Sequence, residues 1–141
     1  MISMLSILLQ GLGLISVLSF GPILALGDRY TLSQDAVELW NPIEIRLTSQ
    51  TSFQNAYLQV DLNGTFTSPQ GHVLVSPGFW DGNQSFIIRF APNETGVWSF
   101  ITSCNAADAG LSGVKGSFSA VPYTGSIRSY KHGFLQVQWH S

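Results

Sequence analysis

Eight carboxylates, three histidines and one cysteine are the side chains of this sequence that could do acid, base or nucleophilic chemistry. Cleaving a glycosidic bond takes two carboxyl groups on rigid elements, about 5 to 9.5 Å apart across a cleft. Glu38, Glu44 and Asp61 fall on the polar phase of alternating segments, Asp28 and Asp35 near the start of the charged region, and Asp81, Glu94 and Asp108 in turn-rich stretches. Solvated faces and turn caps account for all eight, and no catalytic pair stands out. His72 sits in a turn, and His132 and His140 lie in the last ten residues, none beside a G-x-S-x-G elbow. There is no His or Cys cluster for a transition metal, Asp81-Gly82-Asn83 offers too few ligands for calcium, and no phosphate or dinucleotide fingerprint occurs. The sequence therefore predicts no catalytic residue, no metal and no cofactor.

Aromatic side chains are the remaining means of binding, because an indole or phenyl ring can stack on a sugar or insert into a partner. Phe79, Trp80 and Asp81 form the candidate ligand-binding or docking group, in a Gly-bounded segment from Gly78 to Asn83 that reads as a loop. Trp98 shares its phase with Phe100 and reads as core, and Cys104 continues that alternation as a small buried apolar residue. Cys104 is alone, so no intrachain disulfide forms.

The elements that position these residues follow a period of two. Ile43, Ile45 and Leu47 alternate with Glu44, Arg46 and Thr48 after Pro42. Leu58, Val60 and Leu62 alternate with polar residues, with a bulge expected at Gly64 and an extension over Thr65–Thr67. Further strands are expected at Val37–Trp40, at Val73–Val75 ending before Pro77, around Phe86, Ile88 and Phe90, over Val97–Cys104 and over Ser117–Val121. No stretch after residue 27 keeps a helical period. The expected fold class is all-β: an immunoglobulin-like antiparallel β-sandwich of about seven strands, with a small barrel as the competing architecture.

Composition sets the outer limits. In 141 residues, 45% are hydrophobic and 10% charged, enough for one packed domain. A net charge of -2 with scattered Lys and Arg excludes a phosphate-binding stripe, so nucleic acid is not an expected partner. Residues 1–27 carry no charged side chain and read as a signal peptide helix cleaved after Ala25-Leu26-Gly27, with an uncleaved anchor as the alternative. The expected division is signal peptide 1–27, sandwich 28–121, and 122–141 as a linker with the truncated start of a missing C-terminal domain. A secreted, extracellular product with no membrane contact after cleavage follows. Asn63-Gly64-Thr65, Asn83-Gln84-Ser85 and Asn93-Glu94-Thr95 match the N-glycosylation acceptor pattern, so Asn63, Asn83 and Asn93 are the candidate modification sites.

One ordered set of motifs is more specific than any of these signals: Thr65-Phe66-Thr67, Pro77-Gly78-Phe79-Trp80-Asp81-Gly82, Arg89-Phe90-Ala91-Pro92, Gly96-Val97-Trp98, Thr102-Ser103-Cys104, Asp108-Ala109-Gly110-Leu111 and Tyr130-Lys131-His132-Gly133-Phe134. From about Val37 to Val137 it resembles the immunoglobulin-like N-terminal domain catalogued as domain of unknown function 5060, which precedes an apiosidase-like (β/α)8 barrel in secreted glycoside hydrolases. The resemblance implies a non-catalytic accessory sandwich that supports or docks a barrel, with the catalytic carboxylates on the barrel. That barrel is absent from this sequence, and Lys131, His132, Gly133 and Phe134 look like the point where the family's chain enters it. A stand-alone carbohydrate-binding module using loop aromatics, with polysaccharide as its partner, is the alternative.

Overall fold

The computed structural model describes residues 29–128 and Lys131; the signal peptide expected at 1–27 and nearly all of the segment expected to enter a second domain lie outside them. Eight strands form in the order β1 (Tyr30–Leu32), β2 (Ala36–Glu38), β3 (Ile43–Thr48), β4 (Leu62–Thr67), β5 (Val73–Trp80), β6 (Ser85–Phe90), β7 (Gly96–Cys104) and β8 (Lys115–Val121), with one helical turn, α1 (Ala56–Gln59), before β4. Hydrogen bonding joins them as β1-β3-β6-β5-β4-β7-β8-β2, a single sheet curled on itself into a sandwich-like, all-β fold.

The fold-over happens inside β5. Residues 73–77 pair with β4, and Gly78, Phe79 and Trp80 pair with β6 in the other layer. Pro77 lacks an N–H to give to a ladder, and Gly78 admits the close approach that follows: a Cβ there would lie 2.6 Å from Leu62 Cδ2. The expected stop before Pro77 is thus a change of partner, and Phe79 and Trp80 are strand residues rather than loop residues.

Every pairing is antiparallel except β2 with β8, so the sheet is mixed. The chain entering at β1 pairs with β3 and crosses within three residues to β2, where it runs alongside β8 in the same direction. β1 was not expected from the pattern, since three residues are too few for alternation to register.

Alternation in β3 places Ile43, Ile45 and Leu47 at 0% exposure, facing Phe66, Phe86, Ile88, Phe90, Trp98 and Phe100 from the other strands. Burying each such side chain contributes about 1.5 to 3 kcal/mol. Phe66 stacks on Phe90 with ring centroids 3.9 Å apart, and Trp98 donates from Nε1 to the Glu94 carbonyl at 2.8 Å, so its polar atom is satisfied inside the core.

Three further expectations are corrected. Leu58 belongs to α1 and is 76% exposed; the N–H groups of Leu58 and Gln59 both donate to the Asn55 carbonyl, a local turn that overrides the apparent alternation. Gly64 is not a bulge but pairs in register with Ser76 and Thr102, because a Cβ would meet the Phe66 ring at 2.9 Å and Ile88 of the opposite layer. Cys104 is half-buried rather than buried; Ala106 N–H donates to its Sγ, and partial burial pushes the thiol pKa up.

Candidate functional site

Pairing register assembles a row across the outer face of one layer: Thr31, Arg46, Ile87 and Phe79, one from each of β1, β3, β6 and β5. Phe79 is 40% exposed. Arg46 donates to Asp81 Oδ2 at 2.5 Å and to Ser85 Oγ at 3.0 Å on one side of it. On the other side Arg89 donates from Nε and Nη2 to Glu44 Oε1, and its guanidinium lies 5.4 Å from the Phe79 ring centroid. Together these side chains roof Ile87, which is 3% exposed although it occupies the solvent phase of β6. A shallow groove of about 320 Å³ runs between Arg29, Arg46 and Gly110 beside this row.

Of the three residues of the predicted docking group, Phe79 and Asp81 share the outer face and Trp80 takes the other. Phe79 lies on the outer face, Asp81 is turned to Arg46, and Trp80 takes the inward phase opposite Phe86 at the rim of the sandwich. Trp80 stays 43% exposed, and its Nε1 donates to the Asn83 carbonyl at 2.9 Å. The sequence signals for Phe79 and Trp80 were their type and their neighbouring glycines; nothing in them revealed which face each would take.

Among the described carboxylates, Glu44 and Asp81 are held by arginines, and Asp108 is held by backbone. Asp108 is 3% exposed, where burial would raise its pKa. The Ser49 hydroxyl, 2.7 Å from Oδ2, and N–H donation from Gln50, Thr51 and Gly110 more than offset this and lower it to about 2. This clamp ties the 105–113 loop to the start of the 49–53 segment. Sequence reasoning placed Asp108 in a solvated loop; the one available signal was Asp108-Ala109-Gly110, a side chain positioned to accept from the N–H two residues on. No group of three His, Cys, Asp or Glu among the described residues could hold a metal ion.

The sandwich has two distinct ends. At one lie Ser49, the 81–85 turn and Asn105, linked by Ser49 N–H to the Gln84 carbonyl and by Asp108. At the other the chain leaves β8: Leu39 N–H donates to the Val121 carbonyl, Trp40 N–H to the Pro92 carbonyl, and Thr124 donates from N–H and Oγ1 to Glu38 Oε1. Asn83 therefore lies at the first end and Asn93 near the chain exit, while Asn63 is half-buried in β4 with its Nδ2 donating to Asp61 Oδ1 at 3.1 Å.

Against known families, residues 36–105 match the model of the domain of unknown function DUF5060. The chain carries a DUF5060 domain. No curated protein matches it. Among solved structures it is similar to a putative glycoside hydrolase from Bacteroides vulgatus, with 30% identity over 64% of this chain and a TM-score of 0.56. The match covers 17% of that protein, so the DUF5060 domain corresponds to a small region of a much longer chain. In this chain the family match runs from β2 to the end of β7, which includes the partner change at Pro77-Gly78 and, of the Phe79 row, Arg46, Ile87 and Phe79.

Proposed function

We propose that this DUF5060 domain is a non-catalytic accessory sandwich of a secreted, carbohydrate-active protein, supporting or docking a catalytic domain on the same chain. The observation that carries the reading is the match to a small part of a longer putative glycoside hydrolase. Two features of the fold support it. Glu44 and Asp81 are each engaged in an ion pair within the domain, with Arg89 and Arg46 respectively. The chain leaving β8 is fastened to Glu38 by Thr124, and Asn41 Nδ2 donates to the other Glu38 oxygen, so residues 122–124 are held beside β2. Assay of the purified chain on a broad panel of aryl glycosides and polysaccharides tests this: turnover equal to buffer is expected, and turnover that co-purifies with the chain and falls in Glu44→Gln or Asp81→Asn overturns it.

A second reading, a carbohydrate-binding surface, is favoured by Phe79, a half-exposed ring flanked by two arginine–carboxylate pairs that could accept and donate to sugar hydroxyls. Affinity electrophoresis through polysaccharide gels decides it: retardation lost in Phe79→Ala supports a sugar site, and migration unchanged by every polysaccharide rules it out.

A further inference from the structure

We infer that Asn83 is an N-glycosylation site and that Trp80 is the platform on which its first sugar rests, an inference that depends on the proposed secretory route. Three observations converge. Asn83 is exposed at the tip of the β5–β6 turn, with a left-handed φ of 48°; the turn is closed by Ser85 N–H donating to the Gly82 carbonyl and Asp81 N–H to the Ser85 carbonyl. Trp80 lies three residues earlier and is locked against the same residue by its bond to the Asn83 carbonyl, with 43% of its surface left open. An indole face held beside the attachment point offers the apolar plane against which the C–H face of a sugar ring packs.

The third observation is position. The 81–85 turn and the chain exit at Glu38 and Thr124 stand at opposite ends of β3 and β6, about 17 Å apart at 3.4 Å per residue. A glycan on Asn83 leaves the exit free for a following domain, whereas one on Asn93 would stand beside it. Asn63 is the poorest acceptor, since its amide is engaged by Asp61 in a strand paired on both sides.

The chemistry is a glycosyl transfer. Asn83 Nδ2 forms a bond to C1 of an N-acetylglucosamine, the C1–O bond to a lipid diphosphate donor breaks, the diphosphate leaves with the electron pair, and the amide gives up one proton. No oxidant or reductant is involved.

The test expresses the full 141-residue chain in a eukaryotic secretory cell, once as it stands and once behind a leader of proven function. Peptide-N-glycosidase in ¹⁸O-water then marks each formerly glycosylated Asn as ¹⁸O-Asp for mass spectrometry. The leader arm isolates the site: Asn83 marked in most molecules supports the inference, and Asn83 unmarked overturns it whatever happens at Asn63 and Asn93. Marking in the leader arm and none with the native N-terminus overturns the secretory reading and leaves the acceptor assignment standing. For the platform, removing the glycan should lower the melting midpoint by about 4 °C in the parent chain and by less than about 1 °C in Trp80→Ala. Trp80→Phe, which keeps a ring, should restore most of the shift; the same shift in all three chains overturns the role of Trp80.

Discussion

Thr124 reaches back across the last strand pair to Glu38, donating from both its backbone N–H and its hydroxyl to one carboxylate oxygen, while Asn41 takes the other. The residue three positions past β8 is in this way fastened to β2, the strand that runs parallel to it. Replacing Glu38 by Ala should free residues 122–128 without unfolding the sandwich, because exposed pairs of this kind contribute about 0.2 to 1 kcal/mol. Trypsin cleavage after Arg128 should accelerate several-fold while the melting midpoint moves by little; an unchanged cleavage rate would show that the clasp does not restrain the linker.

Asp108 should prove the most costly carboxylate to remove. Asp108→Ala strands the N–H groups of Gln50, Thr51 and Gly110 in a buried corner and should destabilise the domain by about 2 to 4 kcal/mol in urea unfolding. A loss below about 0.5 kcal/mol would mean that water replaces the carboxylate freely.

The same residue sets an acid limit. Its folded pKa, about 2, lies below the ordinary value of 3.8, so the charged form is the one the fold favours. Its contribution is complete above about pH 4 and is lost as pH falls from there through about 2. Glu94 acts in the same direction: the His72 ring, 2.6 Å away, lowers its pKa below the usual 4.5, so its share also disappears on acidification. Stability measured from pH 5 to pH 2 should fall with a shallower slope in Asp108→Asn than in the parent chain, and parallel slopes would contradict the assignment.

Gly78 carries the fold-over. Gly78→Ala drives a methyl into Leu62 and should cost about 1 to 3 kcal/mol, and combining it with Leu62→Ala should recover part of that cost, since the two sites compete for one volume. Strict additivity in the double-mutant cycle would place the strain elsewhere.

The layers of this fold were largely legible in the sequence, because burial on one face of a strand imposes a period of two that β3 and β7 display without interruption. Residues governed by something other than that period were not. Leu58 mimics alternation while a local backbone turn decides its conformation. Ile87 breaks it because Phe79 and two arginines cover the outer face of its layer. Asp108 is buried by its hydrogen bonds, which no pattern of apolar residues announces. The types of Phe79, Trp80 and Asp81 singled out the segment, but setting Trp80 apart from Phe79 and Asp81 needed the register of β5 with β6, a long-range property fixed where Pro77 and Gly78 change the strand's partner.

Whether this domain supports the rest of a larger protein is measured directly by a graft. In the putative glycoside hydrolase from Bacteroides vulgatus, the region matched by this chain would be deleted, and in a second version replaced by residues 29–128 of this chain. The melting midpoint of the remaining domains should fall on deletion and recover to within about 2 °C of the parent in the graft, a difference on the order of 1 kcal/mol or less. A deletion that leaves the midpoint unchanged, or a graft as unstable as the deletion, would contradict the supporting role.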